Sequence, residues 1–131
     1  MSNADIVNTL YAAYGRGDIE AVVAGLSPDV TWHEHGRLED FPAFGPRKGH
    51  AEVREVLGLF RSELEFEAFT PLEVHAVADR VFVLGHTAAR LRRNGRRVET
   101  DWVHVFGLRD GKVTSFAEFA DTAQVAEAWR A

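Results

Sequence analysis

The stretch DWVHVFGLRDGKVTSFAEFAD, residues 101–121, places two runs of β-forming residues on either side of Asp110-Gly111. Asp-Gly supplies the positive φ that a tight hairpin needs, so the runs read as paired antiparallel strands. Side chains alternate along a strand, which puts Trp102, His104 and Phe106 on one face and Val103 and Val105 on the other. Both faces are apolar. One can cover helices; the other must meet something else. An exposed apolar sheet face is uncommon on a monomer, so the pattern predicts a homodimer joined through the sheet.

Two more strand-like segments lie upstream, LEFEAFTPLEVHAVAD (64–79) and RVFVLGHTAARLR (80–92), with turns at Asp79-Arg80 and Asn94-Gly95. Before residue 64 the period changes. Ile6, Val7, Leu10, Tyr11 and Tyr14 fall at helical spacing behind a Ser2 or Asn3 cap, and Gly15 and Gly17 end the helix. Asp18 caps a second helix, IEAVVAGL, which Pro28 terminates. DVTWHEH alternates as a strand. GRLEDFPAFGPRKG, residues 36–49, reads as one long loop. HAEVREVLGLF follows as a third helix, with Val53, Val56, Leu57 and Phe60 on one face, and TAQVAEAWRA closes the chain behind an Asp121 cap. Helices followed by an antiparallel meander make an α+β arrangement, and 131 residues without repeats or linkers make one domain, 1–131.

Composition narrows the function. The formal charge is -5, and the basic residues are scattered except for RLRRNGRR at 90–97. No aromatics interleave with that run, so it reads as a solvated hairpin tip and no nucleic-acid partner is expected. There is no cysteine, which excludes disulfides and thiolate metal sites and fits a reducing cytoplasm. The opening MSNADIVNTL has neither the basic flank nor the apolar core of a signal peptide. No apolar run approaches the roughly 20 residues that cross a bilayer, so no membrane role is expected. The reading is a cytoplasmic protein.

VTWHEHGRLEDF, residues 30–41, poses the chemical question. His33, His35 and Glu39 have the His-x-His-x3-Glu spacing of a cupin-type metal site, and the period of two puts both rings on one side. That reading needs a fourth ligand from another strand, takes Glu39 from a loop, and lacks the glycine expected before His33. A cupin is also nearly all strand, whereas this chain opens with helices. On the opposite face, Glu34 shares its side with Trp32. The pattern favours Glu34 as the working residue, with no metal.

The order of these elements resembles a known family. LYAAYGRGDIEAVVAGLSPDVTW, EVHAVAD and HVFGLRDGKVTSFAEFAD together resemble the SnoaL-like polyketide cyclases and ketosteroid isomerases of the NTF2-like superfamily, over nearly the whole chain. The resemblance implies an NTF2-like cone, with N-terminal helices packed in a curved antiparallel sheet around a deep apolar pocket. It implies that Glu34 matches the isomerases' general base, that His104 matches an oxyanion-hole donor, and that Glu118 matches the cyclases' acid–base aspartate. The isomerases' oxyanion-hole tyrosine has no counterpart, because Leu10 stands at its position, with Tyr11 one residue off and Tyr14 one turn on. That departure argues against steroid isomerisation itself.

Alternation supports the same trio independently. Glu34 shares a face with Trp32, His104 with Trp102 and Phe106, and Glu118 with Phe116. Three polar groups then converge among aromatics, the usual make-up of a small-molecule site, with Tyr14 and Phe60 as further lining candidates. Burial raises a carboxylate's pKa, so Glu34 or Glu118 can exchange a proton near neutrality, and His104 can hydrogen-bond a developing enolate. The expected function is cofactor-free acid–base chemistry, by enolisation, isomerisation or aldol cyclisation, on a small hydrophobic carbonyl compound. The blander readings are a buried His104–Glu118 ion pair, a solvated Glu34 at a strand edge, and aromatics that serve only as core. The competing functions are a non-catalytic protein binding an apolar small molecule in such a pocket and, more distantly, a metal-dependent cupin-like enzyme.

Overall fold

The computed structural model describes residues 1–131. Three helices precede or interrupt the first strands: α1 (Asn3–Gly15), α2 (Ile19–Ala24) and α3 (Gly49–Glu63). The strands are β1 (Leu26–Glu34), β2 (Gly45–Lys48), β3 (Leu64–Val77), β4 (Arg80–Leu91), β5 (Arg97–Arg109) and β6 (Lys112–Ala120), and α4 (Thr122–Arg130) follows. The six strands form one sheet in the order β2-β1-β6-β5-β4-β3.

Local chemistry starts each helix. The Ser2 hydroxyl accepts from the Asp5 amide at 3.1 Å, and the Asp5 carboxylate accepts the Ser2 amide at 3.2 Å, a reciprocal box that caps α1. Asp18 caps α2 by accepting from the Ala21 amide at 3.0 Å. This helix ends at Ala24, earlier than the Pro28 stop expected from the sequence. The Gly25 carbonyl accepts from the Val113 amide at 3.0 Å and Leu26 pairs with Val113, so the sheet takes the backbone that would have extended the helix. Pro28 therefore sits within β1.

The sheet is not wholly antiparallel, as the sequence reading had it. β3, β4, β5 and β6 form the expected meander, but β1 runs parallel to β6. The chain leaves β1, passes through α3, and re-enters the sheet at the far edge. The meander then walks back until its last strand lies beside the first, pointing the same way. The 36–49 segment also holds more structure than a loop: β2 pairs antiparallel with β1 and covers its edge. Arg47 organises the turn before it, donating to the carbonyls of Pro42, Ala43, Phe44 and Gly45 at 2.9–3.1 Å.

At the other edge β3 carries Pro71, which an edge strand tolerates because its missing amide costs no ladder bond, and the register shifts there and at Phe66/Ala68. The β4–β5 hairpin tip is exposed, as expected, and it also touches α4. The Arg93 guanidinium lies 4.2 Å over the Trp129 ring, and Asn94 donates to the Ala128 carbonyl at 2.8 Å, so the basic run braces α4.

The concave face of the sheet meets α1 and α3. Along β5, Val98, Trp102, His104, Phe106 and Leu108 are buried, and along β1, Val30, Trp32 and Glu34 are. One glycine makes this packing possible. Gly85 pairs with Trp102 across β4–β5, and a Cβ there would fall 2.2 Å from the indole ring. Gly85→Ala is expected to displace the indole and cost about 1–3 kcal/mol, the usual penalty of overpacking. A lower urea midpoint with a shifted tryptophan emission would report it; an unchanged midpoint would mean that the ring relaxes freely.

Candidate active site

Strand register builds the site. Glu34 pairs with Glu118 across β1–β6, and Glu118 pairs with His104 across β6–β5. The three side chains thus form one row on the concave face. Glu34 and His104 are 2% and 3% exposed, and the Glu118 side chain 18%. The neighbouring row is aromatic: Trp32, Phe116 and Phe106 are register partners, and the Trp32 and Phe116 rings stack at 3.9 Å.

Hydrogen bonds join Glu118 to His104 and tie both ends of the row to its neighbours. The Trp32 indole N–H donates to Glu34 Oε2 at 2.7 Å. Glu118 Oε2 meets His104 Nε2 at 2.5 Å, and His104 Nδ1 meets the Tyr11 hydroxyl at 2.7 Å. Tyr11 is the group that the sequence reading missed: Leu10 occupies the expected position, but the tyrosine one residue later reaches the site. The signal was present in α1, where Tyr11 lies one turn after the buried Val7 and so on the core-facing side.

The two carboxyl groups are pushed in opposite directions. Burial pushes Glu34 well above the ordinary 4.5, and the negative Glu118 beside it pushes it further; the Trp32 N–H acts against this. Burial would raise Glu118 as well, but its hydrogen bond to His104 and the charge there outweigh it and hold Glu118 below 4.5. Trp32 occupies Glu34 Oε2, and Oε1 has no donor from the protein. Oε1 is therefore the oxygen on which a neutral Glu34 can carry its proton, facing no partner in the protein. Burial also raises Tyr11, and the charges of Glu118 and Glu34 raise it further, so its hydroxyl stays protonated.

The row forms one wall of a cavity of about 120 Å³. Trp32, Trp102, Phe106, Phe116, Tyr14 and Phe60, the residues named from sequence, all line it, as do Tyr11, Phe41, Phe44 and Phe69. Five lining residues fall outside the 19 hydrophobic ones: Glu34, Glu118, His104, Thr87 and Thr100. No Lys or Arg lines it.

The metal set does not assemble. His33 and His35 stack on one another at 3.7 Å, and His35 stacks on Phe119 at 4.3 Å, on the convex face away from the cavity. Glu39 lies 3.7 Å from Arg37. No group of three or more His, Cys, Asp or Glu side chains is arranged to hold a metal ion.

A curved sheet closing over helices around a pocket is the NTF2-like architecture, and solved structures agree. An NTF2-like protein from Burkholderia xenovorans is 34% identical, with a TM-score of 0.87 over 96% of this chain and 94% of its own. An NTF2-like protein of unknown function from Burkholderia pseudomallei is 29% identical, with a TM-score of 0.89 over the full length of both. TerC, co-crystallised with polyporic acid, is 29% identical, with a TM-score of 0.85 over 97% of each chain. The SnoaL-like domain pattern matches residues 7–116, and the chain belongs to that family. No curated protein matches it.

The protonation states have a stability consequence. Between pH 4.5 and Glu34's raised value, the unfolded chain gives up this proton while the native state keeps it, so Glu34 lowers stability as pH rises. Glu118 acts in the other direction: its contribution is complete above 4.5 and is lost as pH falls through its depressed value. Glu34→Gln removes the first effect. Its melting temperature is expected to exceed the wild type's at pH 8, with the gap closing toward pH 4. Circular dichroism melts across that range check this; a gap independent of pH would mean that Glu34 is not held protonated.

Proposed function

We propose that this protein is a cofactor-free acid–base enzyme that moves a proton next to the carbonyl of a small hydrophobic compound. The observation that carries the reading is the row itself: two carboxyl groups side by side on the wall of an apolar cavity, one bonded to His104 and the other, buried beside it, with an oxygen that has no partner. Such a pair separates the base from the acid by environment alone.

The roles differ from those expected from sequence. Glu118 is the base: it takes the proton from the carbon next to the carbonyl, and the C–H pair moves into the enolate. Glu34, held neutral, is the acid, and its Oε1–H hydrogen-bonds the oxygen on which charge develops. His104 orients Glu118, and Tyr11 fixes the His104 ring through Nδ1. Return of the proton to the same or another carbon gives exchange or isomerisation, and attack of the enolate on a second carbonyl gives cyclisation. The binding of an organic acid in crystals of TerC supports a pocket suited to small organic ligands.

The test is exchange of α-hydrogens of acetophenone for deuterium, followed by proton NMR. Glu118→Gln is expected to slow enzymic exchange about 10²–10⁴-fold, the usual worth of a positioned base. Glu34→Gln, with a weaker donor, is expected to slow it about 10²-fold. Binding of the ketone with no exchange above buffer would favour the non-catalytic pocket protein instead.

The convex face suits a second copy of the chain. Leu84, Val103 and Phe119 are register partners in one row across β4, β5 and β6, and they are 40%, 36% and 48% exposed. Pairing through this row would bury them and leave each cavity to its own protomer. Val103→Glu is expected to convert a dimer to a monomer in sedimentation equilibrium; a wild-type monomer at all concentrations rejects the pairing. No helix is long and apolar enough to cross a membrane, and the absence of cysteine suits a cytoplasmic setting.

A further inference from the structure

Thr87, on β4, lines the same cavity but takes no part in the polar row. Its hydroxyl oxygen accepts the Trp102 indole N–H at 2.7 Å. Its own proton has no acceptor in the protein. The contrast is Thr100, its register partner across β4–β5. The Thr100 hydroxyl donates to the Asp101 carbonyl at 2.8 Å and accepts the Asp121 amide at 3.1 Å, so it is fully engaged at the start of α4. Thr87 is thus a half-used hydroxyl in an otherwise apolar part of the wall, and a hydroxyl next to a ligand gains most by spending its remaining donor there.

Its position relative to the row is fixed by the strands. Thr100 precedes His104 by four residues on β5, about 13 Å of extended backbone. Trp102 sits between, stacked on the His104 ring at 3.8 Å while its N–H holds the Thr87 oxygen. The cavity therefore has a polar row at one end, aromatic walls, and a single free donor toward the other end. Its volume of about 120 Å³ is below that of an apolar cavity of about 150 Å³ that accepts benzene, which limits the ligand to a single ring.

We propose that Thr87 is a second polar subsite, and that the ligand is an aryl carbonyl compound bearing an acceptor oxygen at the far end of its ring. This rests on the carbonyl being held at the Glu34–Glu118 row. Thr87 would then choose among aryl ketones by their remote substituent and take no part in proton transfer.

Two ketones of nearly equal shape separate the possibilities: 4-methoxyacetophenone, with an acceptor oxygen para to the carbonyl, and 4-ethylacetophenone, with a methylene in its place. Dissociation constants come from titration calorimetry. Wild-type protein is expected to favour the methoxy compound about fivefold, the scale of one neutral hydrogen bond. Thr87→Ser should keep that preference, and Thr87→Val should abolish it or reverse it toward the more apolar ethyl compound. Thr87→Ala serves the same purpose if the valine variant does not fold. Equal binding of the two ketones by the wild type, or a methoxy preference that survives loss of the hydroxyl, overturns the subsite. Deuterium exchange on the same ketones reports the acid–base reading separately. Exchange without a methoxy preference removes the subsite alone; a Thr87-dependent preference without exchange removes catalysis and keeps the subsite. If neither ketone binds, both fall.

Discussion

The parallel pairing of β1 with β6 is the constraint on which the site depends. It sets Glu34 directly beside Glu118, and two carboxyl groups at that distance in a buried setting cannot both ionise without a large electrostatic cost. Which one stays charged is decided by the neighbours. His104 faces Glu118 from β5, while Glu34 has only an indole N–H. Everything chemically distinctive about the pocket follows from that asymmetry. A slip of one residue in either pairing would turn one member of the row to the convex face and leave the others without a partner.

The surrounding packing serves to keep water and mobile charge away. Aromatic rings on α1, α3, β3, β5 and β6 wall the cavity, and no Lys or Arg lines it. Arg47 spends its guanidinium on four backbone carbonyls, and Arg61 donates to the Tyr14 carbonyl at 2.9 Å. A low-polarity wall strengthens each hydrogen bond of the row and raises the cost of leaving one unmade. The site thus combines a stable polar chain with one carboxyl oxygen and one hydroxyl that the protein itself leaves unused.

Much of this was legible in the sequence because strands have a period of two. Once Trp32, Trp102 and Phe116 are taken to face inward, Glu34, His104 and Glu118 must follow, and the cavity lining follows with them. What period cannot tell is which strand lies next to which. The meander is announced by its turns, but nothing local marks β1 as the parallel neighbour of β6, so the direct pairing of Glu34 with Glu118 is out of its reach. Tyr11 is hard to read from sequence for a related reason. A position carried over from a family is reliable to within a residue or so on a helix, and here the neighbouring residue carries the hydroxyl. The short β2 was hidden by Gly and Pro, which signal irregularity even where an edge needs covering.

The rim of the cavity is fastened by contacts that join distant parts of the chain. Asp40, 90 residues before Arg130, is paired with it, and the Phe41 and Trp129 rings meet edge to face at 5.3 Å. The β4–β5 tip holds the same helix from the other side. On the ribosome, the sheet and the first three helices emerge before any of these fastenings can form, because α4 follows all of them. Closing loops of this length is entropically slow, so the pocket is among the last features to mature. A nascent chain would pass through an interval in which its aromatic interior stands open to whatever hydrophobic surface is nearby, including a chaperone's.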